Sequence, residues 1–127
     1  DKKDPVVVID DVYYVMNRLI HFFEAENKLV PSLKLALSVP LSLKEVIVDM
    51  GAVKHITGGA DVMRPGIRSF DQTIEKGDVV VVKDEQNNKP LVIAQSLEDA
   101  SALAEIQEGR ALKNLHHIGD EVWSKEV

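Results

Sequence analysis

Runs of β-branched and aromatic residues recur along this chain at short spacing, each bounded by polar or glycine-containing turns, which is the pattern of many short strands. Pro5–Ile9, Val12–Met16 and Leu19–Phe23 read as three strands of a meander, joined through Asp10-Asp11 and Asn17-Arg18. Glu24–Lys28 reads as a polar loop. Pro31 is placed to open a short helix carrying Leu33, Leu35 and Leu37, and Pro40 closes it.

From Ser42 the texture changes. Val46–Val48 reads as a short buried strand, and Met50–Thr57 as one or two helical turns stopped by Gly58-Gly59. Asp61–Met63 is short and extended, and Pro65-Gly66 marks a turn. Gly77-Asp78 leads into Val79–Val82, the most strand-like run, and Asn87-Asn88 turns the chain into Leu91–Ala94. Ser96–Gln107 has helical periodicity, with Leu97, Ala100, Leu103, Ala104 and Ile106 on the apolar side and Gly109 as its end. Two closing strands, Ala111–Ile118 and Glu121–Trp123, flank Gly119-Asp120.

Strands outnumber helices and do not alternate with helices of a dozen residues, which argues against a doubly wound sheet. The expected fold class is mainly β with short helices (α+β): a small barrel with helical plugs, preceded by a small α+β module. The seam falls near Pro40–Leu43. The length of 127 residues fits one compact domain or two very small ones.

The chain has no cysteine, which excludes a disulfide framework, a thiolate metal site and a cysteine nucleophile, and favours a reducing, cytoplasmic setting. No apolar run reaches the roughly 18 residues of a membrane span, so no membrane partner is expected. Asp1-Lys2-Lys3-Asp4 is not followed by the apolar core of a signal peptide, and an initiator methionine is lacking.

A net charge of −6 argues at first against nucleic acid. Resolved by segment, it changes meaning. Residues 71–109 carry three Lys+Arg against nine Asp+Glu, whereas residues 51–70 carry Lys54, Arg64 and Arg68 against Asp61 alone. Phosphate binding answers to the local field, so the glycine-rich, locally basic stretch survives the count. Its glycines let the backbone approach a partner closely and expose N–H groups, and Lys54 and Arg64 flank them with charge. The stretch is neither a Walker loop nor GxGxxG.

Three separated blocks make the arrangement specific. They are Asp49-x-Gly51-Ala52 running on to Ala60-Asp61-Val62-Met63-Arg64-Pro65-Gly66-Ile67, then Lys76-Gly77-Asp78 with the four valines, then Gly109-Arg110-Ala111 running on to Gly119-Asp120-Glu121-Val122-Trp123. In this order they resemble the PUA domain, a small RNA-binding pseudo-barrel of pseudouridine synthases and archaeosine transglycosylases. The resemblance covers residues 44–127. Leu29–Leu35 directly ahead of it, and the ending Asn114–Trp123, are similar to the malignant-T-cell-amplified-sequence family of translation factors and its archaeal relatives. That likeness implies a pre-PUA module at 1–43 and a PUA domain at 44–127. The family's module begins earlier than Asp1 does here, so part of it is expected to be missing.

The resemblance implies RNA contact at Lys54, His55, Thr57, Gly58, Gly59, Ala60, Asp61, Met63, Arg64, Pro65 and Gly66, and at Asp120 and Glu121 in the closing strand. Lys54, Gly58, Gly59 and Arg64 lead that set. Simpler roles stand beside it: Asp49 and Asp61 bracing turns, Pro65 fixing one, and either Val62 or Met63 filling the core. His116 and His117 point to opposite faces of a strand, so they do not chelate one metal together, and either imidazole is suited to stacking on a base. One member each of Tyr13-Tyr14 and Phe22-Phe23 is expected in the core, and Trp123 at the barrel closure.

No nucleophile elbow or paired acid and base is present, so no catalytic residue, metal or cofactor is expected. The expected function is recognition of structured RNA, tRNA or rRNA, in translation, with DNA not expected. The acidic 71–109 segment is suited to a basic protein partner, such as an initiation-factor-like protein of the density-regulated type or the small ribosomal subunit. The alternatives are a detached RNA-targeting domain of a modification enzyme, of the pseudouridine synthase or archaeosine transglycosylase type, and a protein-interaction adaptor in translation initiation.

Overall fold

The computed structural model describes the strand backbone at 7–9, 13–16, 19–25 and 28–31, together with residue 33 and residues 43–119. The side chains of the first four strands, and residues 120–127, lie outside the described part. So do the closing strand expected at Glu121–Trp123 and the expected roles of the Tyr13, Tyr14, Phe22 and Phe23 side chains.

β1 (Val7–Ile9), β2 (Tyr13–Met16), β3 (Leu19–Ala25) and β4 (Lys28–Pro31) form an antiparallel meander in sequence order. Three strands were expected and four are present. Within the segment 24–28 expected as a loop, Glu24 pairs with Leu29 and Ala25 with Lys28, so β3 and β4 extend into it from either side. Its polar composition suits a strand beside the sheet's edge as well as it suits a loop. Pro31 does not open a helix but ends β4, opposite Phe22. β4 is an edge strand, where a residue without an N–H is tolerated. Leu33 is helical and fully buried, and the rest of the expected leucine helix lies outside the described residues.

A second sheet has the order β6-β10-β9-β8-β5-β7, built from β5 (Lys44–Val48), β6 (Val62–Met63), β7 (Ile67–Phe70), β8 (Val79–Asp84), β9 (Pro90–Ser96) and β10 (Arg110–His117). β5 and β8 are parallel and the other pairings antiparallel. β7 had no counterpart in the sequence reading, because Arg68-Ser69 interrupts its apolar pattern and only Ile67 is buried. Helix α1 (Met50–Ile56) lies between β5 and β6, and α2 (Ala100–Glu105) between β9 and β10. α2 is shorter than the periodicity of 96–107 implied. Ser96 still belongs to β9, where its amide donates to Asp78 O, and Leu97 N donates to Ala111 O, so sheet pairing takes the first residues of the helical pattern.

The core holds Val46, Val48, Val80, Val82, Val92, Ala94 and Leu112 from the strands, closed by Ile56 of α1 and Leu103 of α2. Val81, Ile93 and His116 are cross-strand neighbours outside that cluster, yet all three are buried. Directly paired residues share a face, so the central strands are covered on both sides. That is why Val79–Val82 reads as a continuous apolar run rather than an alternating one.

Candidate nucleic-acid interface

α1 starts where Asp49, extended at φ −75° and ψ 165°, accepts a hydrogen bond on its carboxylate from Ala52 N at 2.8 Å. It stops in a Schellman turn: Ala60 N donates to His55 O and Gly59 N to Ile56 O, with Gly59 at φ +103°. The chain then passes through β6, and a 3-10 turn at Arg64–Gly66 brings it back beneath the helix. Asp49 N donates to Gly66 O at 2.9 Å, and a β-carbon on Gly66 would stand 2.9 Å from that of Ala52. Helix and turn therefore touch because position 66 has no side chain.

Two side chains fasten the loop to β10. The Asn114 amide group donates to Ile56 O at 3.0 Å and to Ala60 O at 2.9 Å. Asp61 accepts from Asn114 N and from the Arg110 guanidinium, both at 2.9 Å. Burial by itself raises the Asp61 pKa, but the Asn114 amide and Arg110, with Lys113 nearby, bring it below the ordinary 3.8. His117 sets its ring against the loop, with Nε2 3.3 Å from the place a Gly59 β-carbon would occupy.

Between helix, turn and β10 lies an open groove of about 730 Å³. His55, Ala60, Asp61, Met63, Pro65 and Gly66 line it, as their sequence positions led one to expect of a common surface, and Ala52, Ile56 and Arg110 complete it. Met63 is 48% exposed while its neighbour Val62 is fully buried, so the alternation places Val62 in the core. Lys54, Thr57, Gly58, Gly59 and Arg64 do not line the groove. Lys54, Gly58 and Gly59 are exposed beside it, and the Thr57 hydroxyl donates to Val53 O at 2.7 Å.

Arg64 is the clearest departure from expectation. Its Nε donates to Leu103 O at 2.6 Å and a terminal nitrogen to Ile67 O at 3.3 Å, with the guanidinium 5.6 Å from the Phe70 ring centre. That cation braces α2 against the turn. Sequence reasoning passed over Arg110 because residues 110–127 are balanced in charge, although it stands in the third motif block. Asp120 and Glu121 lie outside the described residues. Among the described residues no cluster of His, Asp or Glu is arranged to hold a metal, and no helix is long and apolar enough to cross a membrane. His116 is buried on one face of β10 and His117 faces the loop, as alternation requires.

The PUA domain family model matches residues 44–118. This chain belongs to the PUA domain family. Among curated proteins it is 41% identical over 102 residues to an uncharacterized protein of Methanocaldococcus jannaschii, covering 80% of this chain and 63% of that one. It is 31% identical to Translation machinery-associated protein 20 of Saccharomyces cerevisiae, covering 90% of this chain and 66% of the relative. Malignant T-cell-amplified sequence 1 of Danio rerio is 28% identical, over 96% of this chain and 72% of its own. The resemblance read from the three motif blocks therefore holds. The chain spans less than two thirds of the first two relatives' length. A conserved PUA domain protein from Thermoplasma acidophilum superimposes with a TM-score of 0.81 at 31% identity, covering 92% of this chain and 77% of that one.

Proposed function

We propose that this PUA protein is a non-catalytic RNA-binding protein of translation, and that the groove beside α1, with the adjoining face of β10, engages structured RNA, either tRNA or rRNA. The observation that carries this reading is the groove itself. Residues separated by more than fifty positions, from Gly51 to Arg110, converge on one open and largely apolar concavity. It is flanked by the exposed Lys54 and by a glycine loop whose backbone is held in place by Asn114. A concave surface with a few polar groups at its rim suits shape recognition, in which backbone and basic groups meet phosphates and 2′-hydroxyls and apolar side chains meet an unstacked base. The name of the Saccharomyces cerevisiae relative, Translation machinery-associated protein 20, associates that protein with the translation machinery, which supports the same assignment for this chain. In that setting the acidic 71–109 segment would face a basic protein partner, of the initiation-factor type or on the small ribosomal subunit.

The test is filter binding of total tRNA at low salt by the full chain and by Lys54→Glu. Reversing one phosphate-facing charge is expected to weaken binding about three- to tenfold, with the thermal unfolding midpoint unchanged. Equal affinity for both proteins removes this face from the proposal.

A further inference from the structure

We propose that Arg110 is the phosphate-contacting cation of the groove, and that Asp61 holds it in position until an RNA phosphate takes it over. The inference rests on the reading of the groove as an RNA site and names the residue that sets its affinity.

Of the described residues that line the groove, Arg110 alone carries a guanidinium. Its side chain is 62% exposed and its partner Asp61 26%, so the pair sits at the rim with Arg110 outermost. An exposed ion pair of this kind contributes little to stability. A guanidinium matches a phosphate with two parallel hydrogen bonds, so exchange of partners favours the phosphate once RNA is near. Arg64, the arginine singled out by its neighbours in sequence, is committed to two backbone carbonyls.

The carboxylates of the groove do not contradict an anionic ligand. Asp49 is engaged as the cap of α1, and Asp61 keeps the Asn114 amide when Arg110 leaves. Asp61 then has two effects with opposite consequences for RNA. It holds the loop in shape, and it competes with phosphate for Arg110.

The two effects separate in a salt series. Binding of a fluorescein-labelled RNA stem–loop with a short single-stranded overhang is followed by anisotropy for the wild type, Arg110→Gln, Asp61→Asn and Lys54→Glu. Arg110→Gln is expected to weaken binding about three- to tenfold at low salt and to make the dependence of log K on log salt shallower by about 0.7–0.9, the loss of one phosphate contact. Asp61→Asn retains an acceptor for the Asn114 amide and frees Arg110, so it is expected to bind more tightly than wild type. A merely structural Asp61 would give the reverse. An unchanged slope in Arg110→Gln, or weaker binding by Asp61→Asn with its circular dichroism intact, overturns the assignment. If Lys54→Glu weakens binding while Arg110→Gln does not, only the role of Arg110 fails. No salt-dependent binding by the wild type refutes the RNA reading itself.

Discussion

His117 Nε2 stands 3.3 Å from the point where a β-carbon on Gly59 would be placed, and Gly59 has φ +103°. Two independent constraints thus meet at one residue of the loop: a backbone conformation that L side chains rarely adopt, and a ring from β10 filling the space beside it. Gly59→Ala is expected to lose about 1–2 kcal/mol from the backbone alone, with a further cost where the imidazole gives way. Urea unfolding of Gly59→Ala with and without His117→Ala checks this. The second change should recover the steric part and leave the backbone part.

Asn114 reaches two carbonyls of the loop from a strand more than fifty residues away in sequence. Asn114→Ala leaves Ile56 O and Ala60 O without that donor, which is expected to cost about 1–3 kcal/mol. Hydrogen exchange localises the effect. Amides of residues 58–61 should exchange faster, while those of β8 and β9 should keep their protection.

The pH dependence follows from Asp61. Its folded pKa lies below its ordinary 3.8, so folding binds fewer protons than the unfolded chain near that pH. Its contribution is therefore complete above the unfolded value and fades as pH falls from about 4 through the lower folded value. Asp61→Asn should flatten this acid limb and leave the change in stability from wild type constant between pH 6 and pH 8. Chemical denaturation across an acid series measures it.

Substitution should cost stability at Arg64 and leave it unchanged at Lys54. Arg64→Gln removes the guanidinium that joins Leu103 O to Ile67 O over the Phe70 ring, and about 1–3 kcal/mol of stability is expected to go with it. Lys54 is exposed on α1, and its removal should leave the melting temperature within about a degree of wild type. Differential scanning calorimetry of the two variants distinguishes a bracing cation from a ligand-facing one.

Much of the fold was legible in the residues themselves. Asp49 before Met50 and Gly58-Gly59 after Thr57 delimit α1 because caps and left-handed turns depend on local side-chain and backbone chemistry. The valines at 79–82 and the Asn87-Asn88 turn define the β8–β9 hairpin for the same reason. Where local propensity competed with pairing, pairing won: Ser96 joined β9 rather than the helix, and Pro31 joined an edge strand. β7 stayed hidden because its strand character comes from its bond to β5 and not from its own composition.

The candidate site divides along the same line. Sequence by itself determined that a basic, glycine-rich segment follows a short capped helix, since turn chemistry and local charge need no partner. Only the tertiary structure decided which of its cations faces the groove. Arg64 and Arg110 are alike in chemistry, and what separates them is the set of acceptors each meets: two backbone carbonyls in one case, one half-buried carboxylate at the groove's rim in the other. Ile67 O is local to Arg64, but Leu103 O and the Asp61 carboxylate come from segments thirty-nine and forty-nine residues away from the arginines they meet, a distance over which no sequence pattern reports contact.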